Sequence, residues 1–530
     1  MRASTVGGVL AWLLWFGCAL IAAVTCYRQD ALVAIQFEAL TGPLGLALLH
    51  LPVALVWDLV RRITMRWAPT AAGLVAPLLP LGLLAFLWVP SLLEPATMPA
   101  GRVAEPATAQ DLVIITLDTV RADRVGAIGG GTLTPEIDKL AARGTTFTQA
   151  VTTSPVTAPA HASMFTGAEV PQHGLFANGA RLGSDFPSMI ESLRARGYRT
   201  GGFVSAHVLD RESRIHQGFQ HFDDRWGFVQ RLRWLPFTPY LDDARAPPRR
   251  SGAETVDQAL RWLYSDDAPA VLWVHLFDAH GPYAPPSQFQ PSPQAMNEAR
   301  RIDRETMRTV GDLNRIGDNA RSKVQQQTLL YDASVGWVDA LTGRLVGRLR
   351  GDPIVIVVGD HGESLGEHDT YFGHGGTLWE EAIRVPFVVR WPGRFESGEK
   401  DNGLVSVRAV ARLGLQAAGI DPILPIAPEP NVLVYTTGQE ATRGLGRTER
   451  DSFKARQVAA LRYDGGKLLA RGGEAVAWYD LVADPQELLP QPVPEMLLGD
   501  AATLAGMVGA PPPRLSEHQR KRLEQLGYLE

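Results

Sequence analysis

Five side chains stand where chemistry could start. Asp118 closes the apolar run DLVIITLD, Asp278 closes AVLWVHLFD with His280 just beyond it, and Asp360 and His361 close PIVIVVGDH. Carboxylate oxygens and an imidazole brought together from two strand ends make a divalent-metal site of mixed oxygen and nitrogen type, and Asp118, Asp360 and His361 supply that set. Taken singly, each residue has an ordinary reading: Asp118 caps a turn, Asp360 and His361 form a local pair, and His280 caps a strand end. The strand before each carboxylate is apolar, which leaves the charged group exposed at the tip and favours the metal.

The elements that must position these groups alternate between strand and helix. Thr134-Pro135-Glu136 starts a helix, with Thr134 as N-cap and Pro at the first position. Phe186 to Arg196 is helical by period and ends at Gly197; TGGFVSA then reads as strand. Ala253 to Tyr264 and Leu329 to Leu349 read as helices, and EAIRVPFVVRWPG adds a late strand. Strands separated by helices imply an α/β fold with a parallel sheet covered on both faces. In such sheets the polar residues at the carboxyl ends of strands gather in one crevice. Trp273, Trp379 and Trp391 lie in these patterns and read as core. Residues 290–328, rich in Arg, Asn and Gln, read as an inserted excursion.

The chain has 530 residues and a net charge of −5, with no basic excess to hold a nucleic-acid backbone. Its two cysteines, Cys18 and Cys26, lie in the apolar N-terminal zone, so nothing beyond them can form a disulfide or act as a thiol nucleophile. The run from Ala3 to Tyr27 is long enough for a membrane-spanning helix, and further apolar stretches cover Ala39 to Trp57 and Trp67 to Leu93. Arg61, Arg62 and Arg66 between the second and third stretches set the orientation: that loop and the N-terminus are cytoplasmic. Three spans then carry the rest of the chain to the periplasmic or extracellular side. The expected organisation is a membrane domain over 1–97, a linker over 98–110, an outer domain from 111 onward and a tail over 491–530 with a short amphipathic helix at Ser516 to Leu526.

Four stretches, in order, resemble the sulfatase branch of the alkaline phosphatase superfamily. They are DLVIITLDTVRADRVG with TPEIDKLAARGTTFTQA; VTAPAHASMFTG; VGDHGESLGEHDTYFGHGGTLWEEAIRVPFVVRWPG; and WYDLVADPQE. The resemblance implies a catalytic domain over 111–425 with a mainly parallel sheet flanked by helices, and a small C-terminal α+β subdomain over 426–490 with a short antiparallel sheet. It also implies a nucleophile in a Cys-or-Ser-x-Pro-x-Arg pentapeptide before a Thr-Gly pair. Counting back from Thr166-Gly167 puts Pro159 on the motif proline, Thr157 on the nucleophile and His161 on the arginine. Sulfatases oxidise the Cys or Ser to formylglycine; Thr157 cannot be so converted, and no formylglycine is expected. In that respect the chain resembles the superfamily's membrane-anchored phosphotransferases, which use threonine. The ordinary reading of Thr157 is a turn residue before a proline.

The resemblance further implies one divalent metal held by Asp118, Asp360 and His361 with Thr157 as fourth ligand. His361 stands where calcium-dependent sulfatases often carry Asn, and a nitrogen donor favours manganese or zinc, with calcium or magnesium as alternatives. Thr119 replaces a second acidic residue. His280 matches the histidine that protonates the leaving group, His374 a substrate-binding Lys or His, and Asn178 a substrate-contacting Asn of the phosphonate-ester branch. His161, shorter than arginine, would orient the nucleophile with less charge support. The expected partners are an anionic ester, with a lipid or cell-envelope polymer as candidate carrier, and the membrane. The expected function is cleavage or transfer of a phosphate-, phosphonate- or sulfate-type ester through Thr157. A sulfatase acting without formylglycine and a non-catalytic scaffold are the competing readings; the intact Asp118, Asp360, His361 and His280 argue against the scaffold.

Overall fold

The structure is a computed structural model that describes residues 110–131, 133–225, 249–291, 318–421, 426–437, 457–472 and 474–509. The three expected spans, the linker before Gln110, the centre of the excursion and the helix at Ser516 to Leu526 lie outside those residues. Among the described residues no helix is long and apolar enough to cross a membrane.

The strands in chain order are β1 (Leu112–Leu117), β2 (Thr145–Val151), β3 (Arg199–Val204), β4 (His221–Asp223), β5 (Ala270–Leu276), β6 (Ile354–Gly359), β7 (Ser364–Leu365), β8 (Tyr371–Gly373), β9 (Phe387–Arg390) and β10 (Glu399–Ser406). Eight of them form one sheet in the order β10-β2-β9-β6-β1-β5-β3-β4, and β7 and β8 pair as a small antiparallel ribbon. Every pairing in the large sheet is parallel except those of β9, which runs against β2 and β6. With that one exception the sheet is the mainly parallel one expected. The segment between β6 and β9 holds the ribbon, a 3-10 turn and the short helix Glu380–Ile383, with no long helix to carry a parallel crossover.

Alternation along β1 and β5 divides the core. Ile114, Trp273, Ile356 and Phe387 face one layer, with Ala158, Ala162 and Phe165 of the helix Thr157–Thr166. Val113, Ile115, Leu272, Val274 and Val355 face the other, under the helices Gly252–Leu263 and Asp318–Val346. The latter helix begins earlier than the apolar period suggested, because Ala, Arg, Lys and Gln propagate a helix without an apolar face. Thr134 sits at the N-cap of Pro135–Ala141 but does not cap it with its side chain. Its hydroxyl accepts from Gly126 N at 2.8 Å, and Asp339 of the long helix accepts from Glu136 N and Ile137 N at 3.0 and 2.7 Å. Trp273, Trp379 and Trp391 are all buried in core clusters.

Beyond the large sheet, β11 (Val432–Thr436), β12 (Val458–Tyr463), β13 (Gly466–Arg471) and β14 (Ala477–Asp480) form a four-stranded antiparallel sheet. The helix Leu498–Gly509 packs on it through Ala501, Leu504 and Val508.

One buried ion pair anchors the far edge of the large sheet. Arg250 Nη1 lies 2.8 Å from Asp223 Oδ1 with both side chains 1% exposed, while Arg225, 36% exposed, contacts Asp223 Oδ2 at 2.7 Å. Burial would raise the Asp223 carboxyl, but the hydrogen bond from Arg225 and the charge of Arg250 outweigh it and hold the group at about 2. Asp223→Ala, which leaves Arg250 buried without a counter-charge, is expected to cost about 3–5 kcal/mol in urea denaturation. Arg225→Ala should cost less than about 1 kcal/mol.

Candidate metal centre and nucleophile

The site forms where three strands end level. Leu117 is in register with Leu276 of β5 and with Gly359 of β6. Asp118 N donates to Leu276 O at 3.0 Å and Asp360 N to Leu117 O at 3.2 Å, so the two carboxylates leave adjacent strands side by side. Both are 0% exposed. Asp360 Oδ1 accepts from Thr119 N at 3.2 Å and from His361 N at 2.7 Å. Thr119 therefore serves the site through its backbone; its hydroxyl is turned back to Asp118 O at 2.7 Å, on a residue with φ +60°. Such a left-handed threonine is strained and persists only where surrounding contacts hold it. Tyr331 supplies one of them, donating to Thr119 O at 2.7 Å.

Thr157 opens the helix Thr157–Thr166 on the same sheet face. Its hydroxyl lies 3.4 Å from Asp118 Oδ2 and 3.3 Å from His361 Nε2. His361 Nδ1 donates to Gly362 O at 3.0 Å, so Nε2 carries the lone pair that faces Thr157. The chain can turn there only with glycine: a Cβ on Gly362 would stand 1.9 Å from Glu381 O.

A cation fits this centre on its own terms. Asp118 Oδ1 and Asp360 Oδ2 are buried with no hydrogen-bond partner. Burial pushes the Asp118 carboxyl up to about 6 against the pull of His361 and His374. Burial and then Asp118 itself push Asp360 up as well. Two repelling buried carboxylates with orphaned oxygens, an imidazole lone pair and a hydroxyl make the donor set of a divalent metal, and the ligand atoms of Asp118, Asp360 and His361 lie within 4.8 Å of one another.

Two other groups among the described residues lie equally close together and do not fit. His161, His275 and Asp360 cluster, but both nitrogens of His161 are engaged. Trp273 Nε1 donates to Thr116 Oγ1 at 2.9 Å, Thr116 Oγ1 lies 3.0 Å from His161 Nε2, and His161 Nδ1 lies 2.8 Å from Thr157 O. The carbonyl can only accept, which places a proton on His161 Nδ1, and the hydroxyl, accepting from the indole, can give its own proton to Nε2. Burial lowers its pKa to about 3. His161 thus meets the backbone of Thr157 and not its hydroxyl. The group of His368, Glu381 and Glu487 is occupied electrostatically by Lys467, fully buried, whose ammonium contacts Glu487 and stands 3.6 Å from Glu380.

The remaining expected residues fall on two sides of the centre. His280 stacks on Phe277 with ring centroids 4.2 Å apart, and its Nδ1 lies 2.7 Å from Gly281 O. His374 bridges it to the centre: its ring is 5.0 Å from that of His280 and 4.4 Å from that of His361, and Nδ1 lies 3.2 Å from Glu363 Oε1. Asn178 approaches Thr157 from the helix end, where its Oδ1 accepts from Ala158 N at 2.9 Å. Asp278 does not join the centre; it accepts from Gly252 N at 2.9 Å and from Trp337 Nε1 at 3.0 Å on the opposite face.

His275, which the sequence reading did not single out, reaches the centre that Asp278 does not. Its Nε2 lies 3.2 Å from Asp118 Oδ2 and burial lowers its pKa to about 4. The signal was the two-residue period: His275 shares a face with Trp273, whereas Asp278 falls on the other. Glu363 and Arg121 were also unassigned. Arg121, buried, donates to Glu363 O at 3.1 Å and to Glu367 Oε1 at 2.8 Å, holding the loop that carries Glu363.

A large α/β domain whose parallel strands end in an aspartate-histidine cluster able to hold a metal, with a threonine hydroxyl at a helix start and an antiparallel sheet behind, is the architecture of an ester hydrolase. The sulfatase family profile matches residues 110–420, and the chain belongs to the sulfatase family. It is 28% identical over 313 residues, 54% of this chain, to an ulvan-active sulfatase of Formosa agariphila, a match that spans 57% of that protein's length. The fold is that of the phosphonate monoester hydrolase of Agrobacterium radiobacter, with 19% identity, TM-score 0.56, and coverage of 75% of this chain and 94% of that one. A protein solved in complex with D-glucosamine-2-N,6-O-disulfate superposes with TM-score 0.58 at 17% identity over 79% of this chain and 98% of its own.

Proposed function

We propose that this sulfatase-family hydrolase cleaves or transfers a phosphate- or phosphonate-type ester through Thr157, on the outer face of a membrane to which its N-terminal apolar stretches attach it. The observation that carries the reading is the Thr157 hydroxyl, within 3.4 Å of both Asp118 and His361 in a centre that lacks the cysteine or serine from which formylglycine is made. The Agrobacterium relative in fold is a phosphonate monoester hydrolase, which agrees with a phosphorus ester. Membership of the sulfatase family favours a second reading, a sulfuric ester hydrolase without formylglycine.

Asp118, Asp360, His361 and Thr157 would hold one divalent metal, for which the imidazole nitrogen favours manganese or zinc over calcium or magnesium. That metal supplies the acidity that makes a threonine hydroxyl nucleophilic at neutral pH and draws charge from the phosphoryl oxygens. Asp118 Oδ2 accepts the hydroxyl's hydrogen bond and takes the proton as Thr157 Oγ bonds to phosphorus. The bond to the leaving oxygen breaks, and His280, its Nδ1–H held by Gly281 O, delivers a proton from Nε2. His374 meets the anion. The resulting threonine ester has no route to self-cleavage, so water or an acceptor hydroxyl must displace it; His280 takes that nucleophile's proton, and Asp118 returns its proton to Thr157 Oγ as the bond to phosphorus breaks. A lipid or envelope polymer is the acceptor class suited to the membrane surface.

Mass spectrometry tests this directly. After brief incubation with an aryl phosphodiester, the peptide containing Thr157 should carry a phosphoryl-ester mass. An unmodified peptide during steady turnover overturns the threonine mechanism.

A further inference from the structure

The four-stranded antiparallel sheet contributes no side chain to the metal centre, yet it grips the two segments that must stay in register across it. Tyr435 N donates to Thr153 O at 2.9 Å, in the run-in to Thr157. The next residue, Thr436, is 1% exposed and donates from Oγ1 to Gly375 O at 2.6 Å, immediately after His374. Farther along the same loop, Lys467 of β13 donates to Leu378 O at 2.6 Å. Its charge is balanced within the interface by Glu380 and Glu487, and Glu380 is held in turn by Arg462 Nε at 3.1 Å.

His374 therefore sits between two restraints. On one side Glu363 fixes its ring; on the other, its own backbone runs into Gly375 (φ +86°), whose carbonyl is held by Thr436. A left-handed glycine is a free pivot unless something restrains it. The hydroxyl of Thr436 is that restraint, and Tyr435 beside it ties the same strand to the approach to Thr157.

We propose that Thr436 is a positioning residue: through Gly375 it sets His374 at a fixed distance from Thr157, so that the C-terminal sheet acts as the jaw of the anion site. The proposal rests on the reading of His374 as an anion contact. A buried hydrogen bond of this kind corresponds to roughly a tenfold effect when removed, and a displaced anion contact should appear in KM and anion affinity more than in folding.

The test uses the full-length chain with manganese, an aryl phosphodiester for turnover and orthovanadate for equilibrium binding. Thr436→Val should raise KM and weaken vanadate binding, each about tenfold, with the thermal midpoint nearly unchanged. Thr436→Ser should restore both. In a His374→Ala background Thr436→Val should have no further effect, because the contact it positions is already gone. Equal losses in both backgrounds, or KM and vanadate affinity within twofold of the parent, overturn the proposal. Should the valine chain fail to fold, Thr436→Ala carries the same comparisons. A parent chain that binds vanadate but turns over no ester overturns the threonine reaction and leaves the jaw measurable by binding. A parent that does neither overturns both.

Discussion

Thr157→Ala will lower turnover of an aryl phosphodiester by at least about a thousandfold while leaving the fold intact, the scale expected when an enzyme loses its nucleophile. The substitution removes a hydroxyl and a methyl from a residue at the helix start, whose neighbours Ala158, Ala160 and Ala162 are already small and fully buried. Asn178 still holds the helix through Ala158 N, and His161 still holds the Thr157 carbonyl. Binding of substrate should therefore survive, and the loss should fall on kcat. Thr157→Ser keeps the hydroxyl and should retain turnover within roughly tenfold. The paired assay on an aryl sulfate separates the two ester readings: phosphodiester turnover that disappears in the alanine chain supports the first, and turnover of the sulfate alone supports the second.

Asp118→Asn should abolish metal retention and turnover together, yet make the metal-stripped protein more stable at neutral pH. Burial raises the Asp118 carboxyl from 3.8 to about 6. Between those values the folded state binds the proton more tightly than the unfolded state, so this group's contribution is complete below pH 3.8 and is lost as pH rises through about 6. At pH 7 the deficit amounts to ~3 kcal/mol, from about 1.4 kcal/mol per unit of pKa. An uncharged amide removes it. Chemical denaturation after chelation should show the variant overtaking the parent as pH rises from 4 to 7, and elemental analysis should show its metal content near zero. A variant that retains the metal stoichiometrically overturns the ligand assignment. This is the trade expected where a buried charge is kept for a ligand and not for the fold.

Most of the centre could be read from the chain because apolar strands ending in a polar residue leave little choice about where that residue goes. Asp118, Asp360, His361 and Thr157 converge as their strand ends and motif spacing implied, and His280 and His374 close the other side. What could not be read was which face a residue takes. Asp278 and His275 lie on one strand end; alternation sends the first to a helix N-terminus and the second to Asp118. The role of Asp339 in holding the helix start at Pro135 was likewise invisible, since its partner lies about two hundred residues away in the chain. The engagement of both His161 nitrogens depends on Trp273 and Thr116, which no local pattern links to it.

The column of groups behind Thr157, from indole to hydroxyl to imidazole to helix carbonyl, has a polarity. The indole at its head does not release its proton at ordinary pH, and the carbonyl at its foot does not take one. It is a strut and not a wire: it can transmit direction but no charge. The proton steps proposed for the reaction therefore fall on the other side of Thr157, at Asp118 and His280.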